Sequence, residues 1–272
     1  MVRSLWTAAT GMNAQQTNVD TIANNLANVN TNGYKTQAAQ FKSLLYQTLQ
    51  TATTTADGNP KPTSSQVGLG VRTSSINSIF TQGSLLESAS DTAFAIEGDG
   101  FFAIRTASGD TEYTRNGDFN FSLYGNGQMA LCTSSGEPVL DTKGNPIILR
   151  SDMQASSISV DGDGNLLYPD ENNNPQPIGM QIGLYQFSNP EGLEKLNDSR
   201  YKVSAASGNA INESTANGIQ KSSIRQGYLE GSNVQLADEM VNLIVAQRAY
   251  EANSKIITTS DTMMEQANQL KR

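Results

Sequence analysis

The sequence contains no histidine among its 272 residues, and this absence excludes every catalytic triad or metal site that depends on an imidazole. Its single cysteine, Cys132, has no second thiol with which to form an internal disulfide or a cysteine-ligated metal centre. Charged residues make up only 16%, and the net charge is −8. A negative chain of this kind disfavours nucleic acid as a partner.

Two kinds of apolar segment are also missing. No run of about 18 apolar residues occurs, so we expect no direct insertion into a membrane. The first seven residues lack the apolar core of a secretory signal. We therefore expect a cytoplasmic chain, unless it is exported by a route that reads no such signal.

Residues 4–32 have the apolar spacing of a long helix. Apolar side chains recur in alternating steps of three and four from Leu5 to Val29, which is the pattern of a heptad seam. The predicted helix would be about 43 Å long. Gly33 is suited to a left-handed residue at its C-terminal end.

Residues 232–272 contain no glycine or proline and predict a second helix, about 60 Å long. Ser232 and Gln235 would form a capping box at its start, and Lys271 and Arg272 would complement the helix dipole at its end. One partly apolar row begins at Val245 and an adjacent row begins at Leu236. Two such rows indicate contacts on more than one side of the helix.

The middle of the chain has the period of β-strands. Short apolar runs between residues 94 and 203 alternate with turn residues such as Asn116–Asp118 and Asp161–Asn165, which predicts an antiparallel β-domain. The predicted fold class is therefore α+β, with long N- and C-terminal helices that pair as a coiled coil, an inserted antiparallel β-domain and an extended connecting region. Residues 51–66 predict a long loop or a segment that becomes ordered on assembly.

These patterns divide the chain into three predicted domains. They are a helical domain of residues 1–33 and 232–272, a connecting region of residues 34–90 and 212–231, and a β-domain of residues 91–211. The two helices can bury their seams on each other only by pairing the ends of the chain. Because such a pair is marginally stable alone, we expect identical copies to supply further contact faces.

The segment Ala23–Lys35 is rich in asparagine, although asparagine is a mediocre helix former. We interpret its amides as groups that bond to neighbouring backbones or amides in a packed assembly. The segment resembles the N-terminal signature of the flagellar rod, hook and hook-associated axial proteins. Further segments are similar to the middle and the C-terminal end of the same family, namely Gly98–Phe102, Tyr113–Gly117, Gly227–Val234, Met240–Ile244 and Gln247–Asn253.

The resemblance implies a structural subunit with no enzymatic activity, no cofactor and no metal site. Such a subunit would polymerise with copies of itself into a rigid helical tube that transmits motor torque and conducts exported subunits. The helical ends would line the tube, and the β-domain would face outward. The implied partners are proximal rod subunits, hook protein, outer ring bushing proteins and the flagellar export apparatus, in a rod that crosses the periplasm.

Within the family, the length of the chain and segments such as Gln15–Asn18 and Val67–Val71 resemble the distal rod branch. The paralogous larger proximal rod subunit and a short hook-type protein remain alternatives. Residues 46–65 correspond to an extra stretch of the distal rod branch, which packs on neighbouring subunits and stiffens the tube. The threonine-rich run from Thr48 to Thr55 departs from that branch, which weakens the expectation of stiffening here.

The residues predicted to form the assembly interface are apolar positions of the two helices together with asparagines of the N-terminal signature. They are Leu5, Met12, Val19, Ile22, Asn24, Asn25, Leu26, Asn28, Val29, Asn30, Leu243, Val245, Tyr250, Asn253, Ile256, Met263 and Leu270.

Two other classes of function compete with this interpretation. A glycosidase-like site would need a carboxylate pair drawn from Glu97, Asp99, Asp110, Glu112 and Asp118. Asp99 and Asp118 lie beside glycines, where aspartate is favoured by turn geometry, so we favour turns over catalysis. A surface adhesin would explain the polar body of the chain but not the heptad patterns at both ends.

Three local features have simple structural interpretations. Asp161–Asn165 superficially resembles a calcium loop, but Leu166 stands where that loop needs glycine, which favours a tight turn. Cys132 is predicted to be a partly buried strand residue, because no base is present to activate it. Trp6 is interpreted either as an interface anchor or as a residue that seats the start of the helix.

Overall fold

The computed structural model describes residues 2–50, 64–124, 127–150, 153–170, 174–216 and 218–270. It contains two long helices and many antiparallel strands, which confirms the α+β class. The chain forms two compact units. Unit 1 comprises residues 1–27, 37–78 and 235–272, and unit 2 comprises residues 28–36 and 79–234.

Unit 1 combines the two helices with two strand pairs. Its described elements are α1 (Val2–Ala27), β1 (Gln37–Ser43), β2 (Tyr46–Gln50), β3 (Ser65–Gly68), β4 (Val71–Ser78) and α2 (Leu236–Gln269). The antiparallel pair of β1 and β4, called the ribbon below, runs from the partners Gln37 and Ser78 to Ser43 and Val71. Strands β2 and β3 form a second antiparallel pair.

The segment predicted as a loop, residues 51–66, lies mostly outside the described residues. Its last part, however, is a strand, because Ser65 and Gln66 belong to β3 and pair with Gln50 and Thr48 of β2. Backbone ladder bonds need no apolar side chain, which explains how this polar sequence forms a strand.

Helix α1 ends at Ala27, earlier than the predicted end near residue 32. Beyond it, the Thr31 N–H donates to the Asn28 carbonyl at 3.2 Å, and the Thr31 hydroxyl lies 3.1 Å from Asn28 Oδ1. Side chains that bond locally in this way favour turns over helix. Gly33 has a φ of 68°, which confirms its predicted left-handed conformation.

Helix α2 begins at Leu236, so the predicted capping box at Ser232 is wrong. The Ser232 hydroxyl instead accepts a bond from the Val234 N–H at 3.3 Å. Gln235 is the N-cap residue, with no capping bond from its side chain. Asp238 in the first turn complements the positive end of the helix dipole. Lys271 and Arg272, predicted to complement the other end, lie outside the described residues.

Unit 2 is built of short strands and two 3₁₀ turns. The strands described are β5 (Leu85–Glu87), β6 (Phe94–Glu97), β7 (Phe101–Arg105), β8 (Thr111–Thr114), β9 (Phe119–Tyr124), β10 (Gln128–Thr133), β11 (Ile148–Leu149), β12 (Ser159–Val160), β13 (Asn165–Pro169), β14 (Pro175–Gln181), β15 (Leu184–Gln186), β16 (Glu194–Lys195), β17 (Arg200–Lys202), β18 (Ile211–Asn212), β19 (Ser223–Gln226) and β20 (Tyr228–Glu230). The turns are Ala155–Ser157 and Pro190–Gly192.

The described strand pairings of unit 2 are antiparallel, as predicted for the middle of the chain. The largest sheet has the order β16-β17-β8-β7-β15-β18. The hydrophobic core of unit 2 includes Phe102, Ile104 and Phe119, which are completely buried. Cys132 lies in β10, which confirms the predicted strand residue, but it is fully buried and not partly buried as predicted. The Asp161–Asn165 segment forms the predicted tight turn between β12 and β13.

Neither helix of the described chain is long and apolar enough to cross a membrane.

Candidate functional site

The predicted interface residues of α1 lie on the side of the helix that is covered within unit 1. Ile22 is buried, and Leu5, Met12, Val19 and Leu26 are half-buried. The heptad row of α1 is therefore partly covered within unit 1, and Ile22 is its one buried member among these five.

The predicted row of α2 is exposed. Val245, Tyr250, Ile256, Met263 and Leu270 all leave large fractions of their side chains accessible, from 43% for Tyr250 to 89% for Leu270. Leu243 and Asn253 are half-buried. The residues that α2 buries are Glu239, Ala246 and Ser260.

A row of small and amide side chains on α2 contacts α1. Ser260 Oγ lies 3.4 Å from Ser4 Oγ. Asn253 packs on Gly11, where an added Cβ would lie 2.9 Å from Asn253 Nδ2. Ala246 continues the same row at a spacing of seven residues. Small residues allow the two helices to approach closely, and this approach directs the large apolar side chains of α2 elsewhere.

Helix α2 consequently presents a long apolar surface. Other large side chains on it are also about half exposed or more, namely Leu236, Met240, Val241 and Ile244. Each side chain of this size contributes about 1.5–3 kcal/mol when it is fully buried. So many exposed large apolar side chains on one helix indicate an interaction site.

A groove of about 380 Å³ lies between the two helices of unit 1. Gln16 and Val19 line it from α1, and Gln247, Tyr250 and Glu251 line it from α2.

The asparagines of the N-terminal signature bond first within their own chain. Asn25 Nδ2 donates to the Gln37 carbonyl at 2.8 Å, and Asn25 Oδ1 accepts from the Gln37 N–H at 2.9 Å. This amide takes the place of a neighbouring strand at the start of β1. Asn24 Nδ2 is 3.5 Å from Gln37 Oε1, and Asn28 is bonded to Thr31. Asn30 is exposed and Val29 is half-buried.

Unit 2 contains a buried ion cluster of Lys35, Arg115 and Glu230. Lys35 Nζ lies 2.7 Å from Glu230 Oε1, and Arg115 Nη1 lies 3.3 Å from Glu230 Oε2, with all three side chains almost fully inaccessible. Lys35 also donates to the Thr81 carbonyl, and Arg115 donates to the Gly98 carbonyl. Burial lowers the pKa of Lys35, and the charge of Arg115 lowers it further, whereas Glu230 opposes this shift.

Two further residues hold the same region together. Asn233 Oδ1 accepts bonds from the Thr36 N–H and hydroxyl, both at 2.7 Å, and its Nδ2 donates to the Ile79 carbonyl at 2.9 Å. The Gly33 N–H donates to the Glu230 carbonyl at 2.8 Å. A Cβ at Gly33 would lie only 2.6 Å from the Asn116 nitrogen, so a side chain has no room there.

Sequence reasoning missed this ion cluster. Its three members come from the three motifs that carry the family resemblance, at the N-terminal signature, the middle and the C-terminal end. The available signal was one charged residue in each motif, among asparagines and glycines. These motifs therefore have a structural role in unit 2 in addition to any role in assembly.

Three of the five carboxylates considered for catalysis form ion pairs with basic side chains. Glu97 lies 2.9 Å from Arg225, Asp110 lies 3.2 Å from Lys202, and Glu112 lies 3.3 Å from Arg200. Their arrangement is that of ordinary ion pairs. Trp6 is 69% exposed. Of its two interpretations, this exposure favours the interface anchor over a residue seated within the chain.

Three family models match the chain. Residues 5–35 match the model described as flagella basal body rod protein, and residues 95–168 match the D1 domain of flagellar hook protein FlgE/F/G. Residues 225–270 match the C-terminal model of the flagellar basal body rod FlgEFG proteins. The matched regions include all three motifs that contribute to the ion cluster.

Relatives match along their whole length. The flagellar basal-body rod protein FlgG of Borreliella burgdorferi is 44% identical over 100% of both chains. The FlgG protein of Bacillus subtilis is 37% identical, again over 100% of both chains. The flagellar hook-basal body complex protein FlhP of Bacillus subtilis is 31% identical over 97% of both chains.

Proposed function

The chain belongs to the family of flagellar basal-body rod proteins of the FlgG type, and we propose that it polymerises into the tube of the distal rod. The family resemblance predicted from the sequence is confirmed by the relatives at 37–44% identity. The protein is a structural subunit of the flagellar basal body, from a family of structural proteins and not of enzymes.

The exposed apolar row of α2 is the observation that carries this proposal. A helix that buries only Glu239, Ala246 and Ser260 leaves most of its apolar surface for other molecules. In a head-to-tail polymer, the same surface of each copy meets a different surface of the next, and an open helical filament results. The paired helices would act as a coiled coil along the inside of the tube, and unit 2 would face outward.

The remaining parts of the proposal follow from membership of the family. Other flagellar axial proteins would be neighbours at the two ends of the tube, with proximal rod subunits on one side and hook protein on the other. Ring proteins would surround the rod in the periplasm. The subunit would leave the cytoplasm through the flagellar export apparatus, and the assembled tube would transmit torque and conduct later subunits.

Substitution of Ile256 by aspartate tests the role of α2. Because Ile256 is 47% exposed, the charge should leave the chain folded but prevent the row from being covered by another copy. We expect no tubular polymer by sedimentation and electron microscopy, and no motility when the variant replaces the natural protein.

The matched control is Thr258→Asp, which places the same charge two residues away on an exposed site outside the apolar row. It should polymerise like the unaltered protein. Normal tubes from I256D would contradict the proposal.

A further inference from the structure

The ribbon of unit 1 carries two positive charges directly opposite each other. Lys42 of β1 and Arg72 of β4 are register partners, and both are exposed. They are the only charged residues in positions 37–50 and 64–78. Like charges that face each other across antiparallel strands are destabilising. Within the described chain, neither residue takes part in an ion pair.

Helix α2 carries two negative charges that lie close together. Asp261 and Glu265 are exposed and four residues apart, so they lie side by side on the helix surface. No basic residue stands three or four positions from either of them. Their position near the C-terminal end of α2 is also unfavourable for negative charge. The described residues provide neither with an ion pair, although Gln269 Nε2 lies 3.4 Å from Glu265 Oε1.

We propose that Lys42 and Arg72 of one copy bind Asp261 and Glu265 of a second copy. The inference rests on the proposed polymer and assigns one of its contacts. Facing strand residues and helix residues four apart both hold their side chains about 5 Å apart, so the two pairs match in spacing as well as in sign.

Binding to the oppositely charged pair of a second copy would offset the repulsion within each pair of the single chain. We favour a second copy over an unrelated anion as the partner. One repeated contact between copies pairs both the two basic residues of the ribbon and the two acidic residues of α2. Residues 236–270 contain five acidic and two basic side chains, so the surroundings of Asp261 and Glu265 favour a positive partner. The contact would orient the copies, since charge pairs fix register and exclude wrong partners.

Charge reversal tests this contact on the full-length chain. K42E/R72E and D261K/E265K should each raise the protein concentration needed for polymerisation by about tenfold or more. All four sites are exposed, so the circular dichroism spectrum should not change. The control K202E/R225E makes the same change of net charge as K42E/R72E, at exposed sites of unit 2, and should polymerise as the unaltered protein does.

Mixing the two variants identifies the partner. An equimolar mixture of K42E/R72E and D261K/E265K should polymerise, because every contact between unlike copies is then complementary. The fourfold variant that combines all four changes should also polymerise. The inference is overturned if neither the mixture nor the fourfold variant polymerises. It is also overturned if K202E/R225E inhibits polymerisation as strongly as the charge-reversed double variants do.

Polymerisation of either charge-reversed double variant at the normal concentration would overturn this contact and leave the proposed function intact. Failure of the unaltered protein to polymerise would overturn the proposed function and the contact together.

Discussion

Unit 2 and unit 1 differ in how completely they cover their own apolar side chains. Unit 2 has a core of large residues, among them Phe101, Phe102, Phe119 and Leu131, that are almost inaccessible to solvent. In the described part of unit 1, the buried apolar residues are Ala8, Ala14, Ile22 and Ala246. Unit 2 therefore has a large buried core, whereas unit 1 buries few large apolar side chains, and we propose that other copies cover the rest.

The charges of the two units show the same contrast. In unit 2, Glu230 is buried between Lys35 and Arg115, and each partner is also bonded to a backbone carbonyl. In unit 1, Lys42 and Arg72 are exposed side by side, as are Asp261 and Glu265. Paired charges hold one unit together, and unpaired charges are available for contacts between copies.

The largest effect should come from Glu230→Gln in unit 2. This change leaves Lys35 and Arg115 buried without a counter-charge, so the free energy of unfolding of unit 2 should fall by about 3–5 kcal/mol. The matched variant Glu251→Gln removes the exposed partner of Arg248 on α2. It should change the free energy of unfolding by less than about 0.5 kcal/mol. Urea unfolding followed by near-UV circular dichroism measures both.

A second substitution keeps this prediction testable if E230Q does not fold. Lys35→Met together with Glu230→Gln removes two of the three charges and should recover part of the lost stability. Equal effects of E230Q and E251Q would remove the electrostatic distinction between the units.

A smaller effect, confined to alkaline pH, should come from Tyr201→Phe. Burial raises the pKa of Tyr201, and it raises that of Tyr113 to about 12. Because the unfolded chain releases these protons near pH 10 and the folded chain retains them, the stability of unit 2 should fall as pH rises above 10. Lys35, whose pKa is lowered, acts in the opposite direction.

Replacement of Tyr201 removes one of these titrating groups. Unfolding at pH 8 and pH 11 should therefore show a smaller alkaline loss in Y201F, by up to about 1.4 kcal/mol per pH unit. At pH 8 the stability should change little, because the Tyr201 hydroxyl has no hydrogen-bond partner among the described residues. A Y201F profile as steep as that of the unaltered protein would contradict the account.

The periodic features of the fold were predictable from the sequence. The heptad row of α1, the strand period of the middle and the left-handed Gly33 all follow from local rules of spacing and backbone geometry. The ends of the helices were not predictable from the sequence, because side-chain hydrogen bonds such as that between Thr31 and Asn28 compete with the helix.

The contacts between distant segments could not be predicted in the same way. Spacing identifies several rows on α2, but only packing determines that Ala246, Asn253 and Ser260 form the one against α1. The ion cluster joins residues 195 positions apart, and no local pattern connects Lys35 with Glu230. The apolar row that sequence reasoning selected on α2 remains the candidate for contacts between copies.

Hydrogen exchange of the α2 amides, in the monomer and in the polymer, tests most directly whether unit 1 is completed by other copies. We predict weak protection of residues 236–269 in a proven monomer, slow exchange of the core strands of unit 2 in the same sample, and strong protection of α2 after polymerisation. Strong protection of α2 in the monomer, unchanged by polymerisation, would contradict the account.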